Sequence, residues 1–436
     1  MRYYGVIGNR DYIKIDRIKR PFWEFLDKQP HGYLTSLIYM RSDLPNTHMI
    51  FDCGAWSYKD KDVPVFGKNI LTPGFALFEK YAKIAKDGDF VIAPDHMLID
   101  GVDIDARRKI NIEYARDFIK LHNGYNFKTI PMATIHGMDL NERIEHGKKL
   151  YDLGYKYLAI GGLAARAAQK SLVVDMVLKI REEFPDVWLH VLGLSSPPYA
   201  AIWHHNKIDS FDGSSHFKQA FTGGAFFAVE NGKLKKWQAA RPGEDITAPG
   251  CKCLACSKLK EQGVDTRRYG SNEHNMGRAA HNMNMLMQAQ QIAITGTTVL
   301  VSCVGEKLDH KAKAKDIYQS AWFKKARSWA ESNATRWYIL SAKHGLLNPE
   351  QEIDPYECTL NTMSISERKK WGHITTEEIK KNVPNGKIIV LAGKKYRDVI
   401  NFDGYDVSVP MEGLGIGQQL SWLSNDGIKE QELPGV

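Results

Sequence analysis

The chain has 436 residues, too many for one ordinary domain, so two to three domains, or a barrel with an added module, are expected. Hydrophobic residues make up 43% and charged residues 25%, the balance of a globular protein with a sizeable core, and no apolar run approaches the ~18 residues of a membrane span. The formal net charge of +8 suits a polyanionic partner without requiring one, and the six cysteines form no disulfide framework, which points to a reducing, cytoplasmic compartment.

Met1–Ile7 lacks a signal-peptide pattern and reads as a first strand. From there to about residue 215, short apolar runs alternate with amphipathic stretches. Strands are expected at Tyr3–Ile7, Tyr33–Tyr39, His48–Phe51, Phe90–Ala93, Thr129–Ile135, Tyr157–Ile160, Trp188–Leu192 and Ile208–Phe211. Helices are expected at Phe75–Lys86, Ala106–His122, Asn141–Leu153 and Ser171–Phe184. About eight strands in roughly 200 residues, with no glycine-rich dinucleotide loop after the first, predict a (β/α)8 TIM barrel over residues 1–245.

Barrel chemistry sits where the strands end, so the residues that follow each run are the informative ones. These are Asp52-Cys53-Gly54, Pro94-Asp95-His96, His136-Gly137, Gly161-Gly162-Leu163-Ala164, Gly193-Leu194-Ser195-Ser196 and Asp212-Gly213-Ser214-Ser215. Any one aspartate reads as a helix cap or turn residue; three of them beside a glycine pair at one mouth read as a site.

Residues 246–293 form a second feature. Cys251, Cys253 and Cys256 make a CxCxxC turn, and a histidine in the following Met-rich helical stretch completes four ligands for one tetrahedral Zn2+. His281 is preferred as the fourth ligand and His274 is its rival. With four protein ligands no position remains for an activated water, so the zinc is structural. Met283, Met285 and Met287 read as core filling. Lys252, Lys258, Lys260, Arg267 and Arg268 read either as a phosphate-facing surface or as a solvated charged face.

Over residues 1 to about 290 these motifs, in this order, resemble the queuine and archaeosine tRNA-guanine transglycosylases. The resemblance implies that Asp52 is the general acid/base, that Asp95 reads the base, that Gly161-Gly162-Leu163-Ala164 lies against it, and that Asp212, in Asp209-Ser210-Phe211-Asp212, is the nucleophile. His190-Val191-Leu192-Gly193 and His281-Asn282 fit the same pattern, and the family implies a homodimer as an assembly. Cys53, His136-Gly137 and Gly213-Ser214-Ser215-His216 depart from it. That drift is similar to the 7-deazaguanine DNA transglycosylases of bacterial islands and phages, which implies exchange of a guanine in DNA for a 7-deazaguanine base, with His136 at O6 or the 7-substituent. Two readings stand beside it: the same exchange on tRNA, and a catalytically silent nucleic-acid-binding protein.

From about Thr297 a second α/β domain begins, expected over 297–425, with strands Val299–Cys303, Trp337–Leu340 and Ile388–Leu391 and a helix Ile317–Glu331. It resembles small domains of phage and bacterial nucleic-acid-associated proteins and, more loosely, the peroxide-stress DNA-binding family. Cys303 and His344 invite a Cys/His nucleophile, against which stands a plain binding module. Gly413–Gly417 reads as a glycine-rich turn, and residues 426–436 as a frayed tail.

Overall fold

The computed structural model describes residues 1–424 except Met40, Ser42, Asn231, Ala240, Val304 and Asn385; the tail expected at 426–436 lies outside the described residues. The chain divides into two units, Met1–Ala228 with Lys235–Gln288, and Val229–Leu234 with the chain from Ala289 on.

The first unit is a closed barrel of eight parallel strands. They are β1 (Arg2–Ile7), β2 (Gly32–Ser36), β3 (His48–Asp52), β4 (Phe90–Ile92), β5 (Ile130–Ile135), β6 (Tyr157–Ile160), β7 (Trp188–Val191) and β8 (Ser210–Gly213), and β1 closes the ring by pairing with both β8 and β2. Both faces of such strands are covered, which is why β4 and β8 are buried at every position; β4 is an unbroken apolar run, whereas β8 buries Ser210 and Asp212 beside Phe211. Tyr4, Leu34, Ile50, Phe90, Ile92, Met132 and Ala159 pack together as a core cluster. The outer helices are α1 (Phe75–Ala82), α2 (Ile104–Gly124), α3 (Leu140–Asp152), α4 (Lys170–Glu183), α5 (Pro197–His205) and α6 (Ser215–Phe221). Asp103 and Asp139 cap α2 and α3 by accepting from Ala106 N and Glu142 N.

Several boundaries differ from the sequence reading by one or two residues, and three differences change a residue's setting. β2 ends at Ser36 and Leu37–Tyr39 is a 3-10 turn. α1 stops at Ala82, and Lys86 N is taken up by Asp89 at 2.8 Å. β8 runs to Gly213, so Asp212 lies inside the strand; Asp209 is outside it, its carboxylate held by Leu189 N at 2.8 Å and Arg181 at 2.6 Å. The first aspartate of Asp209-Ser210-Phe211-Asp212 is thus a clamp at the amino end of β8.

Beyond the barrel come the hairpin β9 (Phe226–Glu230) and β10 (Lys233–Trp237), then α7 (Leu254–Glu261) and α8 (Asn272–Thr295). Asn282 on α8 ties the helix down, accepting from Phe227 N at 2.8 Å and donating to Ala225 O at 2.8 Å.

The second unit is a five-stranded sheet of β11 (Thr298–Ser302), β12 (Arg336–Ser341), β13 (Gly345–Leu347), β14 (Lys387–Leu391) and β15 (Asp406–Ser408), in the order β13-β12-β11-β14-β15. All pairs are parallel except β12 with β13. Its helices are α9 (Ala314–Ile317), α10 (Ala321–Asn333), α11 (Ile365–Asn382), α12 (Lys394–Arg397) and α13 (Ile416–Ser424). The single helix expected at Ile317–Glu331 is two, because Ser320 accepts from Phe323 N and starts α10 afresh. α11, which the sequence reading passed over, opens on a Ser364/Glu367 capping box and buries Trp371 and Ile379. Gly413 turns at φ 78°, and α13 begins at Ile416 inside the stretch read as a turn. No helix among the described residues is long and apolar enough to cross a membrane.

Candidate active site and candidate metal centre

Asp52, Asp95, His136, Gly161 and Asp212 all lie at the carboxyl ends of barrel strands, on the face where such folds place their chemistry. Asp95 is nearly buried and fully engaged: Cys53 Sγ donates to Oδ1 at 2.8 Å and His136 Nε2 lies 2.7 Å from Oδ2. Burial alone would raise this carboxyl, but the hydrogen bonds and charge of His136, with Cys53 and Thr134, outweigh it and hold the pKa below the ordinary value. Tyr58 donates to the Asp95 carbonyl at 2.9 Å and sits 3.2 Å from Cys53 Sγ. Burial and the neighbouring Asp95 push the Cys53 thiol well up, so it is a donor here and not a nucleophile.

Asp52 is the opposite case. Its Oδ2 accepts from Gly54 N at 2.9 Å, but burial, then the charges of Asp95 and Asp212, push its pKa up to about 7. A carboxyl poised there both gives and takes a proton near neutrality.

Asp212 is held at one oxygen. Oδ1 accepts from Gly193 N at 2.8 Å and faces His190 Nε2 at 3.2 Å, and among the described residues no hydrogen bond falls on Oδ2. Behind it runs a chain: Trp188 Nε1 donates to Ser210 Oγ at 3.0 Å, and Ser210 Oγ lies 2.8 Å from His190 Nδ1. Since Trp188 can only donate, the Ser210 hydroxyl hydrogen is free to go to Nδ1, which leaves the proton of a neutral His190 on Nε2, aimed at Asp212. Neither Trp188 nor Ser210 was singled out from sequence; the signal was available in the period-two spacing that puts Trp188 and His190 on one face of β7, and in the register that pairs His190 with Ser210.

The thiol cluster is compact. One ligand atom from each of Cys251, Cys253, Cys256 and His281 lies within 4.8 Å of all the others. His281 Nδ1 faces Cys253 and Cys256 Sγ at 3.3 Å each, while Nε2 donates to Phe227 O at 2.7 Å. That outer bond leaves Nδ1 bare for a metal. His274 is used elsewhere, its Nδ1 accepting from Asp265 N at 3.0 Å. A three-thiolate, one-imidazole set of this spacing fits tetrahedral Zn2+. Of the five basic residues nearby, Lys252, Lys258, Lys260 and Arg268 are exposed and Arg267 donates to the Pro249 carbonyl.

Residues 102–291 match the family described as queuine tRNA-ribosyltransferase. The match supports the tRNA-guanine transglycosylase superfamily for this part of the chain, and with it a pentosyltransferase that exchanges guanine bases. It takes in Asp212, the thiols and His281, whereas Asp52 and Asp95 precede it and join the site through the fold. Residues 298–425 match a family of unknown function (DUF6884). The uncharacterized protein YfjM of Bacillus subtilis (strain 168) is 29% identical over 135 residues, 28% of this chain and 84% of the relative.

The glycine pair is needed by the protein itself. A Cβ on Gly161 would meet Thr134 Cγ2 at 2.7 Å, and Gly162 sits at φ +73°. Arg143 on α3, absent from the sequence reading, donates to Gly161 O at 2.8 Å and fixes the loop. Leu163 is fully buried, backbone and side chain, and offers no surface at the mouth. His216, in the stretch that departs from the family pattern, is also buried, stacked on Phe22, and its pKa is driven down to about 4 by burial. In the second unit Cys303 and His344 do not pair: Cys303 Sγ lies 3.3 Å from Tyr396 OH, and His344 packs edge-on against Tyr356.

Proposed function

We propose that the protein is a nucleobase transglycosylase that replaces guanine in DNA by a 7-deazaguanine, such as 7-cyano-7-deazaguanine, through a covalent sugar ester on Asp212. The observation that carries this reading is the division of labour among three neighbouring carboxylates: Asp212 with Oδ2 open, Asp52 titrating near 7, and Asp95 held ionised.

Asp212 Oδ2 attacks C1′ of the target nucleotide, the C1′–N9 bond breaks, and the electron pair leaves with guanine, which takes the proton of neutral Asp52. The Asp52 carboxylate then removes the N9 proton of the incoming base, N9 attacks C1′, and the ester opens to restore Asp212. Asp95 accepts from N1–H and the exocyclic amine of the base. Its oxygens already serve Cys53 and His136, so the thiol, the weaker donor, yields to the base while His136 stays or turns to O6. The flat ring lies on the backbone of Gly161 and Gly162, with Leu163 buried behind them. A target in duplex must be flipped out, at a few kcal/mol.

Cys251, Cys253, Cys256 and His281 would hold Zn2+ as a fastener of residues 246–293, since four protein donors leave no place for a water. DNA is favoured as substrate by the drift of the residues around Asp52, His136 and Asp212, with residues 297–425 as a module that holds it. The description of the matching family favours tRNA as the second reading. The test is to incubate the protein with labelled guanine or 7-cyano-7-deazaguanine and either plasmid DNA or unmodified tRNA. Label in DNA is expected; label in tRNA alone transfers the proposal to tRNA, and label in neither, with proven binding, removes it.

A further inference from the structure

We propose that the second unit carries a ligand site of its own, for a phosphorylated molecule of nucleotide size, in the cavity at the carboxyl ends of β11 and β14. From β11 the chain passes to β12 on one side, and β14 then pairs with β11 on the other. Loops leaving two such strands run in opposite directions and open a crevice between them, the place where open α/β sheets bind ligands. The cavity there has a volume of about 650 Å3, within the range of about 300–1,000 Å3 usual for small-molecule sites.

Its walls are chemically specific. Lys307 comes from the loop after β11, and Lys394 and Lys395 from the start of α12, which follows β14. Among the described residues, neither Lys307 nor Lys394 makes an ion pair; Lys307 stands 4.6 Å over the Tyr356 ring, and Lys395 reaches the Asn361 carbonyl at 3.4 Å. Three ammonium groups on one cavity wall, none within ion-pair distance of a carboxylate among the described residues, are arranged for an anion with several acceptor oxygens. Glu306 and Glu357 on the same walls supply acceptors for hydroxyl or amino groups, which an inorganic anion lacks and a nucleotide has. Two tyrosines that line it are held in place: Tyr318 OH lies 2.8 Å from Tyr356 OH, itself 2.7 Å from Ser341 Oγ, and Tyr396 OH sits 3.3 Å from Cys303 Sγ. Such a site would accept a free nucleotide or the 5′-phosphorylated end of a nucleic-acid strand.

The test is equilibrium binding of AMP, GMP and adenosine to the full chain, together with a short oligonucleotide bearing a 5′-phosphate or a 5′-hydroxyl. Saturable binding of a phosphorylated probe is expected, about tenfold or more tighter than its unphosphorylated counterpart, and weakened by about tenfold in K307A/K394A, whose changed side chains lie at the cavity wall and not in the core. Alkylation of Cys358, on the cavity wall, should slow when the probe is bound, which separates this cavity from the barrel mouth. Stronger competition by the phosphorylated oligonucleotide than by AMP or GMP assigns the site to strand ends, and the reverse to free nucleotides. The proposal is overturned if no phosphorylated probe binds saturably, if the double substitution leaves affinity unchanged, or if Cys358 reacts equally fast with the probe bound.

Discussion

The barrel mouth and the thiol cluster both crowd ionisable groups into a buried place, yet they do so to opposite ends. At the mouth the carboxylates come from strands spread between Asp52 and Asp212, and the bonds that hold Asp212 leave an oxygen open. In the cluster three ligands lie within six residues and the fourth donor, His281 Nδ1, is turned inward by the bond its other nitrogen makes to Phe227. Open valence, rather than perturbed ionisation as such, separates a reactive site from a closed one.

The sharpest way to break this contrast is Asp212→Asn. The amide keeps the shape and can still accept at its oxygen, but it cannot form the ester, so turnover should fall on the order of 10³-fold or more and the denaturation-resistant protein–nucleic acid adduct should vanish. An undiminished adduct on a denaturing gel would take the nucleophile role from Asp212.

Metal removal attacks the other half. Chelation, or Cys256→Ser, should lower the melting temperature and expose residues 251–285 to proteolysis, by an amount on the order of several kcal/mol, because a preformed ligand set binds metal only in the folded state. Activity should be lost in step with folding. Lost turnover in a protein with an unchanged melting curve and intact nucleic-acid binding would contradict a structural zinc.

Asp52 should show a smaller, pH-dependent effect. Burial and the neighbouring carboxylates raise its pKa from 3.8 to about 7, so the fold prefers the neutral form. The corresponding stability is present in full below about pH 4, declines as pH rises, and is gone above about 7. Asp52→Asn should therefore stabilise the fold at pH 8, on the order of 1–2 kcal/mol after screening at the half-open mouth, and change little at pH 4. In the parent the rate of adduct formation should fall as pH rises through 7, since guanine needs the Asp52 proton to leave; a flat profile in single-turnover measurements would remove Asp52 as the acid.

The same contrast explains what was legible. The metal ligands are a local pattern: spacing alone brought out Cys251, Cys253 and Cys256, and His281 was preferred to His274, which lies on the same helix α8, before its place beside the thiols was known. The strands were legible as apolar runs, and their ends located Asp52, Asp95, His136 and Asp212. What stayed hidden acts across register or from a helix: Ser210 and Trp188 pair sideways between β7 and β8, and Arg143 reaches Gly161 from α3. No periodicity encodes such contacts. α11 was missed for another reason, since its buried face is carried by Trp371, Gly372, Thr375, Thr376 and Ile379, half of it not apolar.

The smallest effect expected belongs to Ser210. Its hydroxyl touches no substrate; it receives from Trp188 and fixes the His190 ring so that Nε2 faces Asp212. Ser210→Ala removes the partner of Nδ1 and lets the neutral ring adopt either tautomer, so that for part of the time a lone pair confronts the carboxylate. The rate of adduct formation should fall about tenfold, with little change in KM, because ground-state binding of the nucleic acid does not pass through this chain. Ser210→Thr retains the hydroxyl and should restore most of the rate. Equal losses in both variants would mean that the position acts through packing in β8 and not through the proton on His190.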